Sequence, residues 1–181
     1  ACCAPSAHSG GPRPGDASLP AADLLERAAT SPLHLALCAG WLLPQSPPLV
    51  IPEATFPDYA YHSSLSDSWV DHGRSYVAGS TERRALGAGW FVVEVASNDG
   101  YLLRNVVAAG IPCLGIEPSV NVSEAARRVG VPTLTAFLDE PLADKVRSEH
   151  GPADLVVANN AYAPIPDLLG FTRALRGLVA D

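Results

Sequence analysis

Apolar runs and segments with helical spacing alternate through the second half of the chain. Four short runs rich in Val, Ile and Leu are each followed by a segment whose apolar residues recur at three- and four-residue intervals. The runs cover residues 90–96, 111–117, 131–134 and 154–160, and the helical segments cover 101–109, 121–129, 140–149 and 167–180. Runs buried on both faces are typical of parallel strands, so this alternation predicts an α/β fold with helices on both faces of a parallel sheet. We expect the strand order 3-2-1-4.

The ends and faces of these helices can also be predicted. Gly110 and Gly130 are typical of helix C-termini, and Asn121 or Ser123 is expected to cap the second helix. The spacing in the first helix predicts four inward side chains, which are Leu102, Leu103, Val106 and Val107.

The first half of the chain is less regular. Residues 1–20 are rich in Ala, Ser, Gly and Pro and are expected to be irregular. A short helix is expected over 21–29, a strand pair over 34–43, and a helix over 63–84 that Ser66 or Asp67 caps. The prediction is a degenerate, irregular N-terminal module with a proline-rich linker over 1–58, a linking helical segment over 59–84, and an α/β domain over 85–181.

Composition excludes some classes of partner. The 181 residues carry a net charge of −7, with 12 Lys and Arg against 19 Asp and Glu, so a nucleic-acid partner is not expected. The longest apolar stretch, residues 33–43, is too short to span a membrane, and the N-terminus lacks a signal-peptide pattern. We therefore expect a cytoplasmic protein without a membrane partner, of undetermined oligomeric state. The chain has no Met and starts at Ala1, from which we expect trimming or truncation.

The loop after the first predicted strand is the first place to look for a ligand site. It reads Glu94-Val-Ala-Ser-Asn-Asp-Gly100 and leads into a predicted helix. Ligands of open α/β sheets bind beyond the carboxyl ends of the strands, where the strand order reverses. Small side chains at Ala96 and Gly100 let a ligand approach the backbone, and the following helix offers unpaired N–H groups. The carboxylate of Glu94 suits a ligand that carries cationic groups.

Glu117 ends the second predicted strand and indicates a nucleoside-bearing cofactor. It follows Glu94 by 23 residues, close to the roughly 20-residue offset at which an acidic residue meets ribose hydroxyls in dinucleotide folds. The loop lacks the Gly-x-Gly-x-x-Gly spacing that admits a pyrophosphate. S-adenosylmethionine has no phosphate, so the polar and acidic loop favours this cofactor over a nicotinamide dinucleotide.

From about residue 33 to 181 the chain resembles the bacterial sugar C-methyltransferases of deoxysugar biosynthesis. The matching stretches are 32–38, 59–69, 92–102, 115–118 and 158–160. The Glu-Val-Ala-Ser-Asn-Asp-Gly loop is the most specific of them, because most methyltransferases carry more glycine there. The resemblance implies three parts: an N-terminal zinc-binding module, a central Rossmann-like class I methyltransferase domain, and a C-terminal domain. It implies methyl transfer from S-adenosylmethionine to a carbon beside the keto group of a nucleotide-linked 4-keto-6-deoxysugar.

The residues and the resemblance together assign candidate roles. The cofactor-binding candidates are Glu94, Ala96, Ser97, Asn98, Gly100, Glu117, Pro118, Asn159 and Asn160. The resemblance alone implies the substrate-binding candidates Tyr59, Tyr61, Ser63 and Ser64, and core packing is the alternative for the two tyrosines. The reaction needs a general base beside an acidic C–H, and His72 and Tyr162 are considered for it. A phenol is a poor base at neutral pH, and a histidine one turn from Trp69 is more often a packing or surface residue.

The chain departs from the family pattern in three places. Cys2, Cys3 and Cys38 do not form the two Cys-x-x-Cys pairs of a structural zinc site, so zinc is expected only if the module is intact, and Cys113 is predicted to be a buried apolar residue. Pro164 stands where the family usually has a histidine, and the family's later catalytic segment and three strands would follow Asp181. We therefore expect no turnover by the chain as given. The alternatives are a non-catalytic methyltransferase-like binding domain and an NAD(P)-dependent oxidoreductase.

Overall fold

The computed structural model describes residues 8–14, 30–45, 56, 59–162 and 165–180. The chain divides into two compact units, Ala1–Thr55 and Phe56–Asp181.

The described part of the first unit is a three-stranded antiparallel sheet. Its strands are β1 (His8–Pro14), β2 (Thr30–Leu37) and β3 (Pro44–Gln45), in that spatial order. The prediction of an irregular chain is wrong for β1. This Gly- and Pro-containing stretch pairs with β2, and no local sequence pattern indicates that pairing. β2 and β3 form a strand pair, with residues 39–41 as the turn. The helix expected over 21–29 and most of the predicted linker lie outside the described residues.

The second unit is built on a parallel sheet, which confirms the α/β prediction. Its strands are β4 (Val92–Val95), β5 (Cys113–Ile116), β6 (Thr133–Leu134) and β7 (Leu155–Val157). All pairs are parallel, and the order across the sheet is β6-β5-β4-β7. The central strand β4 is buried along its whole length.

Helices precede and connect these strands. They are α1 (Asp67–Arg84), α2 (Leu103–Ala108), α3 (Val120–Arg128), α4 (Glu140–His150) and α5 (Leu168–Leu178). α1 follows a short 3-10 turn, Ser63–Leu65, and the Ser66 side chain caps it by accepting the N–H of Trp69. Among the described helices, none has the length and apolar character needed to span a bilayer.

Two details of the helices differ from the sequence prediction. Val107 is 39% exposed and does not face inward, because α2 spans fewer than two turns and presents only a narrow face to the sheet. α3 begins after Ser119, so neither Asn121 nor Ser123 is its N-cap. The Asn121 side chain is bonded instead to the backbone of Tyr59, and the Ser123 hydroxyl donates to the carbonyl of Val120.

The core is divided between the two faces of the sheet. Val92 packs in one cluster and Val93 and Val95 in another, as the alternation of side chains along a strand requires. The same alternation places Glu94 on the face of Val92. That face is covered by a cluster that includes Tyr101, Leu103, Cys113 and Val131.

Cys113 is predicted to react slowly with thiol reagents in the folded protein. Burial, together with the charge of Glu94, raises the pKa of its thiol from 9.0 to about 11. Because the thiolate is the reactive form, alkylation at mildly alkaline pH should be about 100-fold slower than in the urea-unfolded chain. Peptide mass spectrometry after iodoacetamide treatment measures this ratio at Cys113. Equal rates in the folded and unfolded chain would contradict the prediction.

Candidate cofactor site

The loop between β4 and α2 bends sharply because three alternate residues adopt left-handed backbone conformations. Ala96, Asn98 and Gly100 have φ angles of 56°, 51° and 76°. This region costs roughly 1–2 kcal/mol for residues other than glycine, so the surroundings must hold Ala96 and Asn98 in place. Backbone bonds contribute: the N–H of Ala96 donates to the carbonyl of Ile116 at 2.8 Å, and the N–H of Gly100 donates to that of Ser97 at 3.2 Å.

The carboxylate of Glu117, which follows β5, holds the same loop. Its Oε2 accepts the N–H of Asn98 at 3.0 Å, and its Oε1 accepts the N–H of Ser119 at 2.9 Å. An ionised carboxylate has about four acceptor positions, so each oxygen retains capacity for another donor. Glu117 thus faces the loop, and its contact with ribose hydroxyls stays a prediction.

Glu94 lies at the bottom of the site as a buried carboxyl group. Its side chain is 0% exposed, and neither oxygen has a hydrogen-bond partner among the described residues. Burial first, and then the charges of Glu117 and Asp99, raise its pKa well above the ordinary value of 4.5. A buried polar group without a partner is costly. A ligand that brings donors or positive charge to this position would remove that cost.

Three more buried oxygens beside the loop have no hydrogen-bond partner within the described ranges. They are Ser97 Oγ, Asp99 Oδ1 and Ser119 Oγ. Gly115 on β5 leaves room for the first of them, since a Cβ at that position would lie 2.5 Å from Ser97 Oγ. Together with Glu94 these groups are acceptors or hydroxyls without a cation among them. These oxygens fit a ligand that carries hydrogen-bond donors or a positive charge. They do not fit a diphosphate, which is itself an anionic acceptor.

A cavity of about 120 Å³ lies beside the loop. Its lining includes Trp69, His72, Gly73, Tyr101, Asn159 and Asn160. The Trp69 ring stacks on His72 and on Tyr101, with ring centroids 5.1 Å and 5.8 Å apart. Gly73 permits this packing, because a Cβ there would lie 3.3 Å from the Tyr101 ring.

Tyr101 gives the cavity a phenol that keeps its proton. Burial, followed by the charge of Glu94, raises the pKa of Tyr101 above its ordinary value of 10.0. The phenol oxygen accepts a hydrogen bond from Asn159 Nδ2 at 3.3 Å, so this contact does not use the phenol proton. The phenol proton therefore remains available to an acceptor in the cavity.

The predicted substrate residues lie on a segment, residues 59–64, that is fastened to the loop by side chains. Asn98 Oδ1 accepts the N–H of Ser63 at 2.7 Å, and Asn98 Nδ2 donates to the carbonyl of Tyr61 at 3.1 Å. Asp99 Oδ2 accepts both the N–H of Ser64 at 3.0 Å and its hydroxyl at 2.5 Å. Asn98, predicted to bind cofactor, therefore bonds the neighbouring segment through its side chain.

The two predicted substrate tyrosines are placed differently. Tyr59 is half-buried, packs its ring 5.3 Å from that of Phe56, and exchanges two backbone bonds with the Asn121 side chain. Burial and then the charge of Glu117 raise the pKa of Tyr59. The Tyr61 ring is 51% exposed and lies at the edge of the Tyr59 ring, 6.4 Å away. Core packing therefore describes Tyr59 better than Tyr61.

The remaining predicted residues follow β5 and β7. Pro118 is half-buried beside Glu117, and Asn160 is exposed with a φ of 54°. The two candidate bases, His72 and Tyr162, lie in different surroundings. His72 lines the cavity, whereas the Tyr162 hydroxyl is hydrogen-bonded to Thr172 on α5 and its ring packs at the edge of Phe171.

The predicted metal ligands are only partly covered by the structure. Cys2 and Cys3 lie outside the described residues, and so does Pro164. Cys38 is buried. Within the described ranges, no group of three or more His, Cys, Asp or Glu side chains could hold a metal ion.

Sequence reasoning missed three contributors to the site. Asp99 was recognised as a loop residue without a contact of its own, Tyr101 as an ordinary helical residue, and Asn121 as a cap. The partners of Asp99 and Asn121 are 35 and 62 residues away, so no local pattern could identify them.

The chain is similar to a known C-methyltransferase. No protein-family model matches the chain. It is 30% identical over 149 residues to the C-methyltransferase NovU of Streptomyces niveus, a match that covers 82% of this chain and 36% of that protein. The chain thus spans little more than a third of the relative. The similarity supports a C-methyltransferase family relationship.

Proposed function

We propose that residues 56–181 bind S-adenosylmethionine at the carboxyl end of the sheet and take part in methyl transfer to carbon. The observation that carries this proposal is Glu94, a fully buried carboxyl without a partner among the described residues at the end of the central strand. The cofactor has a sulfonium and an ammonium group, and either would neutralise this carboxylate. When bound, it supplies an electrophilic methyl group.

The adenosine end is assigned to Glu117. Each of its oxygens accepts one backbone N–H and keeps capacity for a ribose hydroxyl. The carboxylates of Asp99 and Glu117, which raise the pKa of Glu94, would repel the pyrophosphate of a nicotinamide dinucleotide. The charge of the site therefore favours S-adenosylmethionine over the oxidoreductase alternative.

For the acceptor we propose a nucleotide-linked 4-keto-6-deoxysugar. Its identity rests on the resemblance and on the C-methyltransferase relative. The protonated phenol of Tyr101 in the cavity suits a developing enolate oxygen. His72 lines the same cavity and is our candidate for the base that accepts a proton from carbon. Tyr59, Tyr61, Ser63 and Ser64 would form the adjoining wall.

A Glu117→Ala substitution is predicted to weaken binding of S-adenosylmethionine by about 1–3 kcal/mol, the scale of losing hydrogen bonds to a charged group. Isothermal titration calorimetry with the full chain measures the change. Glu124→Ala is the matched control, because this carboxylate is exposed on α3 and paired with Arg128. Unchanged affinity in Glu117→Ala would exclude the ribose role.

The binding experiment also separates the competing functions. Binding of S-adenosylmethionine with no binding of NAD(P) supports the proposal, and the reverse preference would replace it by the oxidoreductase alternative. Incubation with labelled S-adenosylmethionine and a dTDP-linked 4-ketosugar then distinguishes a catalyst from a non-catalytic binding domain. Loss of the methylated sugar in His72→Ala, with the affinity for S-adenosylmethionine unchanged, would support His72 as the base.

A further inference from the structure

The side chains of Asn98 and Asp99 bond residues 59–64, although the loop that carries them faces the proposed cofactor. We infer that these two residues are positioning residues that couple the cofactor loop, residues 96–100, to the segment 59–64. Ordering of either element then orders the other. The nature of the ligand rests on the proposed function, while the coupling itself is a property of the ligand-free chain.

Asn98 is the junction between the two elements. Its backbone N–H donates to Glu117 at 3.0 Å, and its side-chain amide both accepts from Ser63 and donates to Tyr61. A donor and an acceptor on one side chain fix the orientation of the segment as well as its distance. Asparagine also tolerates the left-handed φ of 51° better than most residues, so one residue type meets all of these requirements.

Asp99 adds a second point of attachment. Its Oδ2 accepts two donors of Ser64, and its side chain is 2% exposed. A carboxylate is the side chain suited to two donors at one position, because it is an acceptor only. These contacts give the side chains of Asn98 and Asp99 a structural role in the loop.

The coupling follows from the strain in the loop. Ala96 and Asn98 hold left-handed conformations that are unfavourable without outside support. The bonds from residues 61, 63 and 64 supply part of that support. Breaking the bonds to residues 59–64 therefore destabilises the loop conformation. By thermodynamic reciprocity, disorder in the loop also weakens the attachment of residues 59–64.

The chain offers a substitution that removes a single attachment. Ser63→Pro deletes the N–H that Asn98 accepts and puts the proline Cδ where that hydrogen lies, so it breaks this attachment both by removing the donor and by displacing Asn98 Oδ1. The backbone can accommodate proline there, because Ser63 starts the 3-10 turn and His62 is extended with φ −110° and ψ 121°. Ser63→Ala is the matched control, since it removes the hydroxyl and retains the N–H.

Hydrogen exchange measured by mass spectrometry on the full, ligand-free chain tests the coupling. In Ser63→Pro, peptides that cover residues 95–102 should exchange about tenfold faster than in the wild type, the scale of one lost hydrogen bond. In Ser63→Ala they should exchange at the wild-type rate. Wild-type exchange of the loop in Ser63→Pro overturns the inference, and so does equal acceleration in both variants.

A second variant, Asn98→Gly, tests the coupling even if Ser63→Pro does not fold. Asn98→Gly keeps access to the left-handed conformation and removes both side-chain bonds. In this variant, hydrogen exchange is measured in residues 59–66, which should exchange about tenfold faster than in the wild type. Unchanged exchange of that segment in Asn98→Gly would also overturn the inference.

Addition of S-adenosylhomocysteine gives a readout that a purely structural role would not move. In the wild type we expect protection of both elements, and in Asn98→Gly we expect protection of the loop without protection of residues 59–66. Protection confined to the loop in the wild type would refute the coupling and leave the proposed function standing. Absence of any binding would refute the proposed function, while the ligand-free exchange would still decide the coupling.

Discussion

Replacing Gly100 by alanine is expected to lower the free energy of unfolding of the second unit by about 2–4 kcal/mol and to abolish measurable cofactor binding. Gly100 has a φ of 76°, where an L side chain is strained. An added Cβ would lie 2.9 Å from Cγ2 and 3.2 Å from Cβ of Val131. Val131 is 1% exposed and β-branched, so it has little freedom to move away. Urea unfolding with linear extrapolation measures the loss.

Gly110 provides the control for this substitution. Its φ of 70° is similar, but a Cβ there would meet no atom within 4 Å. Gly110→Ala should therefore show the conformational cost alone, about 1 kcal/mol. Equal losses in the two variants would mean that the contact with Val131 is relieved by relaxation and that Gly100 is needed only for its φ angle.

The alternation of strands and helices could be predicted from the sequence because each level of structure agrees with the next. The segment 90–96 is apolar as a strand buried on both faces must be, and the structure has β4 at Val92–Val95, with all four residues buried. Glycine after a helical segment likewise predicted the end of α2, where Gly110 has a φ of 70°. In these cases the physical requirement is local, so a short stretch of sequence carries it.

Contacts between distant segments could not be predicted in the same way. Asn121 fits the pattern of an N-cap, yet its amide bonds the backbone of Tyr59, 62 residues earlier. Asn98 fits the pattern of a ligand-binding loop residue, yet its side chain bonds Tyr61 and Ser63. The same donor and acceptor groups serve either purpose, and the tertiary structure decides which partner is nearest.

The burial of Glu94 is a similar case. A carboxylate at the end of a strand fits a solvated position as well as a ligand site, and the sequence allowed both. In the structure the side chain is fully buried on the face of β4 that Tyr101 and Cys113 cover. The pKa of both neighbours is raised in part by the charge of Glu94. The ionisation of Glu94 is therefore linked to its burial and to the pKa of both neighbours.

Replacing Glu94 by glutamine is expected to remove a pH dependence from the stability of the ligand-free protein. Burial raises the pKa of Glu94 in the folded state well above 4.5, and unfolding returns it to that value. The folded state therefore keeps a proton that the unfolded state releases. The stabilisation is complete below the unfolded pKa and decreases as pH rises, by up to about 1.4 kcal/mol per pH unit until the folded pKa is passed.

Urea unfolding of the two proteins between about pH 5 and pH 8 measures this effect. The unfolding free energy of the wild type minus that of Glu94→Gln should fall as pH rises, with a slope of up to about 1.4 kcal/mol per pH unit. The difference removes the contribution of all groups that titrate equally in both proteins. Glu124→Gln, which changes an exposed carboxylate on α3, should leave the profile unchanged. A difference that is constant with pH would show that Glu94 is not buried as a neutral acid.

The same ionisation should control ligand binding. A cationic ligand lowers the pKa of a carboxyl group beside it, so binding expels the proton from Glu94 and becomes stronger as pH rises, by up to about tenfold per pH unit while the ligand-free group is protonated. In Glu94→Gln the affinity should be independent of this proton. S-adenosylhomocysteine lacks the sulfonium charge but keeps the ammonium group, so comparing both ligands by calorimetry identifies the cation at Glu94. A pH dependence only for S-adenosylmethionine places the sulfonium there, an equal dependence for both places the ammonium there, and none for either would exclude Glu94 from binding.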